Sequence, residues 1–215
     1  MWVFSESYPK LFKREQIYLH NSRFKIGVLA LQGAYEAHSQ RLQELGAEAR
    51  LVRKPEQLDG LDALVIPGGE STTFLKHLER AGFYDKLDLF CRNQPVFGTC
   101  AGCILMAKDV EHPPQRSFGV LDIAVERNAY GRQNDSTILS AQTALPGGPL
   151  EMVFIRAPRI SRIGPGIETL ATRDGSPTLV RQGRLLAATF HPELTADTRV
   201  HQLFLEIVSE VSLRG

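Results

Sequence analysis

The chain has 215 residues, 43% hydrophobic and 23% charged, with 25 Lys+Arg against 24 Asp+Glu. That is ordinary globular composition, long enough to bury a real core. A net charge of +1 lacks the basic footprint of nucleic-acid binding, and no run approaches the ~20 apolar residues that span a bilayer. Three cysteines are too few for a disulfide scaffold, which points to a reducing cytoplasm.

Residues 1–23 mix charges and aromatics without period 2 or 3.6 and contain no apolar signal-peptide core. They are expected to form a loosely ordered leader with no catalytic part, ahead of a single domain over 24–215. From Lys25 the chain becomes regular. Lys25–Leu31 predicts a strand, and Tyr35–Leu45 a helix stopped by Gly46. Ala49–Val52 and Asp62–Ile66 predict two more strands, the second breaking at Pro67-Gly68-Gly69. Ser71-Thr72-Thr73 offers an N-cap for a helix ending near Gly82, and Leu87–Arg92 adds a further turn or two. Gln94–Gly98 predicts a fourth strand that leads into a helix over Ala101–Lys108. Strands alternating with helices imply a mostly parallel sheet covered on both faces.

The second half changes character. Phe118–Glu126, Thr137–Ala144, Glu151–Ile155, Glu168–Thr172, Thr178–Arg181 and Leu185–Phe190 predict strands between Gly/Pro/Asp/Asn turns. Asp197–Val211 closes the chain as an amphipathic helix with Val200, Leu203, Phe204, Ile207 and Val208 on one face. The whole reads as an α/β domain whose sheet is extended by hairpins.

Chemistry concentrates at Gly98-Thr99-Cys100-Ala101-Gly102, which has the form of a nucleophile elbow between a strand and a helix. Glycines allow the close backbone approach this turn needs. The helix start places free N–H groups and a positive dipole beside the sulfur, which favours the thiolate. Alone, the pentapeptide also fits a buried cysteine in a tight turn. Cys100-Ala-Gly-Cys103 is equally a C-x-x-C, as in a thiol–disulfide oxidoreductase. Cys103 also fits as a small apolar residue on the buried helix face. A zinc site commonly needs a second cysteine pair, which the chain lacks, so no metal is expected. A cysteine nucleophile needs a base and an orienting carboxylate. His191-Pro192-Glu193, straight after a strand, supplies both two residues apart.

The elbow and the His-Pro-Glu segment together resemble the class I glutamine amidotransferase superfamily. Leu31-Gln-Gly-Ala34, Pro67-Gly-Gly-Glu-Ser-Thr72, Val125-Glu-Arg-Asn-Ala-Tyr-Gly-Arg-Gln133 and Phe154-Ile-Arg-Ala-Pro158 narrow the resemblance to the glutaminase subunits of pyridoxal 5′-phosphate synthases. It runs from about Lys25 to the last helix; the departures are Cys103, where the family usually has an aliphatic residue, and the leader. It implies a three-layer, flavodoxin-like fold with added hairpins and no cofactor. It also implies hydrolysis of L-glutamine, with the ammonia passed to a separate synthase subunit.

By the same resemblance, Cys100 is the nucleophile, His191 the base and acid, and Glu193 its orienter. Gly69, Glu70, Ser71, Arg127, Ile155 and Arg156 line the glutamine site, while Gly68, Gly69 and Ala101 N–H groups are the oxyanion-hole candidates. Gln32, at a strand's C-terminal end, is expected to support the oxyanion segment or the partner interface. Pro67-Gly68-Gly69 is suited to a peptide flip through which the synthase would switch the glutaminase on. The nearest rival within the superfamily is the glutaminase of histidine biosynthesis, which shares the elbow cysteine and the His-Pro-Glu.

Overall fold

Short apolar runs separated by helices build a layered α/β structure in the computed structural model, which describes residues 24–127 and 136–214. The expected leader, and residues 128–133 of the Val125–Gln133 segment, lie outside the described residues. The first half contains β1 (Lys25–Leu29), α1 (Tyr35–Glu44), β2 (Glu48–Val52), β3 (Ala63–Ile66), α2 (Ser71–Arg80), α3 (Tyr84–Asn93), β4 (Val96–Thr99) and α4 (Ala101–Met106). There follow β5 (Ala107–Glu111), β6 (Leu121–Glu126), β7 (Ser136–Ala141), β8 (Leu150–Ile155), β9 (Arg159–Ile163), β10 (Glu168–Arg173), β11 (Ser176–Gln182), β12 (Leu185–Ala188) and α5 (Arg199–Ser212).

The main sheet has the order β10-β11-β12-β4-β3-β1-β2. Its five strands from β12 to β2 run parallel, and β11 and β10 extend it as antiparallel hairpins. β3, β4 and β12 are buried at every position, as strands covered on both faces must be. Period-2 alternation then divides the core. Leu64, Ile66 and Val96 face Phe74, Leu78, Leu87 and Leu105 from α2, α3 and α4. Ala63, Val65 and Phe97 face Leu42 of α1 and Val200, Phe204 and Val208 of α5. Both layers bury large side chains such as Phe74 and Phe204 completely, each worth roughly 1.5–3 kcal/mol of transfer free energy.

Several local expectations need correction. The cap of α2 is Glu70, whose carboxylate accepts from the Thr72 N–H at 3.0 Å and the Thr73 N–H at 2.7 Å. A carboxylate answers both the free amides and the positive end of the helix, and it displaces the expected Ser/Thr cap. The helix expected over Ala101–Lys108 stops at Met106, because β5 leaves it to pair with β6. The helix expected from Leu87 starts three residues earlier, at Tyr84. Only β10 to β12 lengthen the main sheet. β5-β6-β9 form a second sheet and β7-β8 a third. β9, with the polar sequence Arg-Ile-Ser-Arg-Ile, carries too little apolar alternation to be read as a strand, and pairing with β6 organises it.

Candidate active site

Four segments converge because each follows a neighbouring parallel strand at its C-terminal end: Gln32 after β1, Pro67–Gly69 after β3, Cys100 after β4 and His191 after β12. Open α/β sheets place their ligands at this edge. Cys100 joins β4 to α4 with φ 48° and ψ −103°. Such left-handed backbone at a residue with a Cβ costs of order 1–3 kcal/mol and persists only where its surroundings enforce it. The enforcement is visible on both sides. The Cys100 N–H donates to the Ala188 carbonyl at 2.9 Å. Gly102 lies so close to Ile66 that an added Cβ would strike its carbonyl oxygen.

His191 is 8% exposed and Glu193 1%. Val153 of β8 accepts the His191 N–H at 2.8 Å, so the small β7-β8 sheet helps hold the histidine. The His191 ring donates through Nδ1 to Glu193 Oε1 at 2.7 Å, and Cys100 is its other polar neighbour. Burial works against a charged ring, but the Cys100 sulfur and the Glu193 carboxylate outweigh it and raise the His191 pKa to about 10. Burial likewise opposes ionisation of Glu193, yet the nearby His38 and the hydrogen bond from His191 hold its carboxyl below the usual range. A cysteine, a histidine and a buried carboxylate thus stand together in the arrangement that a nucleophile, its base and an orienter require.

The glycine loop lies against this set. A Cβ on Gly68 would lie 3.2 Å from Cys100 Cβ and would run into the His191 ring, so only glycine permits this approach. Gly69 has φ 141°, which residues with a Cβ avoid. Gln32 Nε2 donates to the Glu70 carbonyl at 3.0 Å and packs on Gly69, which locks the loop to the end of β1. Ala101 opens α4, so its N–H has no intrahelical acceptor.

The expected glutamine-site residues fall into two groups. Arg127 Nη2 donates to Thr72 Oγ1 at 2.7 Å and reaches Glu70 Oε1 at 3.5 Å, while Ser71 Oγ donates to Gln115 Oε1 at 3.0 Å. These gather on the first turn of α2. On the other side, the Ile155 carbonyl faces Cys100 Sγ at 4.0 Å. Arg156 stands just past β8, exposed, with φ 44°.

Cys103 is fully buried among core residues. Burial pushes its thiol far above the usual range, and all three cysteines are free. These surroundings are those of a packing residue.

Three neighbours of the triad were not legible. His38 of α1 sits with Nε2 3.3 Å from Glu193 Oε2 and 3.1 Å from Thr99 Oγ1, and its Nδ1 lies 2.9 Å from His201 Nε2 of α5. Both histidines are completely buried. A signal was present: His38 shares the inner stripe of α1 with Leu42, and His201 that of α5 with Val200 and Leu203–Leu205. A histidine in such a stripe must find polar partners.

The SNO glutamine amidotransferase family matches residues 28–210. The chain is 64% identical over 184 residues to the pyridoxal 5′-phosphate synthase subunit PdxT of Koribacter versatilis, covering 86% of this chain and 95% of that protein. It is 49% identical over 189 residues to PdxT of Thermosipho africanus, covering 86% and 100%. A crystal structure of a glutamine amidotransferase superposes with a TM-score of 0.79 at 47% identity, covering 86% of this chain and 98% of that one. The expected three-layer amidotransferase fold is borne out, and the chain is an enzyme of the glutaminase type. No described helix is long and apolar enough to cross a membrane. Fold, elbow and sequence agree: the chain belongs to the SNO glutamine amidotransferase family.

Proposed function

We propose that this chain is the glutaminase subunit of a pyridoxal 5′-phosphate synthase, acting through Cys100, His191 and Glu193. The Cys100 thiolate adds to the side-chain amide carbon of L-glutamine and forms a tetrahedral oxyanion. His191, charged to about pH 10, gives its proton to the leaving nitrogen, and ammonia departs from a glutamyl thioester. His191 then takes a proton from water as it attacks the thioester. Glutamate leaves and the thiol is restored. Glu193 holds the ring in the required tautomer and offsets the imidazolium charge.

The N–H groups of Ala101 and of the Gly68-Gly69 loop receive the oxyanion, one such donor being typically worth about 2.7–4 kcal/mol. Glu70 is suited to the α-ammonium of glutamine and Arg127 or Arg156 to its α-carboxylate. Ser71, Gly69 and Ile155 complete the pocket wall. The ammonia passes to a separate synthase subunit, whose binding favours the donating orientation of the Gly68-Gly69 peptide. Residues 24–215 act as one cytoplasmic domain, and 1–23 take no part in the chemistry.

The observation that carries this reading is the 2.7 Å Nδ1–Oε1 bond of a buried histidine that lies, with the elbow cysteine, against Gly68. Similarity to the PdxT subunits favours the vitamin pathway over the histidine-biosynthesis glutaminase. The test is ammonia release from glutamine, with and without a pyridoxal phosphate synthase subunit. Turnover that rises with the synthase is the expected result, and no turnover in its presence overturns the reading.

A further inference from the structure

We infer that His38 is a positioning residue for this hydrolysis, an inference resting on the proposed triad chemistry: one N–H of its ring ties the nucleophile's strand to the carboxylate that orients the base.

The tautomer follows from the neighbours. Nε2 lies 3.3 Å from Glu193 Oε2 and 3.1 Å from Thr99 Oγ1. A bare lone pair there would face an anionic oxygen in a dry site and be repelled. Nε2 therefore carries the hydrogen, with Thr99 Oγ1 as its hydrogen-bond partner and Glu193 Oε2 in close electrostatic contact. Nδ1 is then an acceptor, and it takes the Nε2–H of His201 at 2.9 Å. That leaves His201 Nδ1 bare, consistent with its having no hydrogen-bond partner. Burial drives both rings to the neutral form. The polar chain thus runs from His201 through His38 to Glu193 and on to His191.

The consequence for Glu193 is specific. Its side chain has no solvent exposure. Oε1 is taken by His191, and Oε2 has no hydrogen-bond partner, so the close approach of the His38 N–H at 3.3 Å is its outward electrostatic support. Thr99 immediately precedes Cys100, so the same N–H also fixes the distance between elbow and orienter. The ionisable groups facing His38 are Glu193 and His191 from the segment after β12 and His201 from α5, with Arg41 of α1 acting on His201.

The geometry separates three substitutions. In His38→Gln the amide nitrogen falls near the position of Nε2 and its two hydrogens can serve Thr99 and Glu193. In His38→Asn the amide reaches only the place of Nδ1. His38→Phe keeps the ring volume and removes both nitrogens. The full-length chain is assayed for ammonia release with a synthase subunit present. In the isolated chain, the rate of Cys100 alkylation by iodoacetamide is followed against pH.

The expected result is that kcat falls up to about a hundredfold in His38→Phe and His38→Asn, with KM for glutamine little changed. Glu193 then ionises less readily, so the acid limb moves upward by about one pH unit in both assays. His38→Gln restores most of kcat and the limb. A folded His38→Phe with the wild-type kcat and limb overturns the inference. If His38→Phe does not fold, Gln and Asn variants of equal activity and equal limb overturn it instead. The alkylation profile needs no glutamine, so it judges His38 even where absence of turnover in the wild type defeats the proposed function.

Discussion

The two sides of the active site are built from opposite materials. Behind Cys100, the base side is dry: the Glu193 and His38 side chains have no solvent exposure, and the polar chain is sealed by Phe97 and the α1 and α5 core. In front, the rim on α2 is wet: the Glu70 side chain is 48% exposed and its 3.5 Å pair with Arg127 is open to screening. A polar group removed from the dry side leaves a partner uncompensated in low dielectric, whereas one removed from the rim is replaced by water. Substitutions on the base side should therefore appear in kcat, and those on the rim in KM and modest stability changes.

The largest expected effect is at the reacting atoms. Cys100→Ala and His191→Asn should each remove turnover by a factor on the order of 10⁶, as nucleophile and base do in serine-hydrolase triads. Cys100→Ala should still bind glutamine by calorimetry, because the rim is untouched. Loss of binding in a folded Cys100→Ala would erase the distinction between the two sides.

Glu193→Gln comes next. The amide keeps the shape but removes the charge that offsets the imidazolium, and its NH₂ group must face either His191 or His38. Loss of kcat up to about 10⁴-fold is expected by analogy with the orienting aspartate of serine proteases. Full activity would reduce Glu193 to a packing residue.

The pH dependence sharpens the same contrast. His191 has a pKa of about 10 in the folded chain against an ordinary 6.5. The protonated form that serves the leaving ammonia is lost above pH 10, so kcat/KM should fall there, about tenfold per pH unit. The raised value also stabilises the fold: its contribution is complete below pH 6.5 and is lost as pH climbs through 10. Glu193 acts with the opposite sign. Its lowered pKa contributes above the ordinary carboxylate range and is lost as pH falls through the folded value. Denaturant unfolding from pH 6 to 10 should show declining stability, with a shallower decline in Cys100→Ala, which lacks the sulfur that helps raise the histidine.

What the sequence reveals divides along the same line. The parallel strands were legible because burial on both faces writes Ala63-Leu-Val-Ile66 as a continuous apolar run, and the elbow because its glycines are obligatory next to Ile66 and Met106. The His191–Glu193 pair was legible because its members are two residues apart. His38, Thr99 and His201 were not, since they meet only when α1, β4 and α5 pack together, with 163 residues separating the two histidines. The cap of α2 was misread for a local reason: Glu70, with a longer side chain, reaches the Thr72 and Thr73 amides ahead of the hydroxyls that follow it.

Cys103→Ser tests whether a buried polar atom matters where no chemistry is done. The thiol lies fully buried on α4 among apolar neighbours, and a hydroxyl there must lose hydration. Stability should fall by about 1–3 kcal/mol, while kcat in the folded protein stays within a few-fold. A folded but inactive Cys103→Ser would revive the two-sulfur chemistry and count against the triad.

The smallest effect is expected at Glu70, where both properties of the wet side can be read in one variant. Its carboxylate caps α2, and hydrogen bonds from the Thr73 hydroxyl and from the Thr72 and Thr73 amides overcome the desolvation cost and lower its pKa to about 2. Glu70→Ala should cost about 1 kcal/mol, the ordinary worth of an N-cap, because the exposed pair with Arg127 adds little. The sign of its pH dependence is fixed. A carboxyl with a depressed folded pKa stabilises the chain above pH 4.5 and loses that contribution as pH falls toward 2. The difference in unfolding free energy between wild type and Glu70→Ala should thus be complete at pH 7 and shrink steadily below pH 4.5. KM for glutamine should rise in Glu70→Ala with kcat nearly constant, the reverse of the pattern expected at His38. Equal falls in kcat and kcat/KM would mean that the rim acts in the transition state, and that the wet side of the site takes part in the chemistry just as the dry side does.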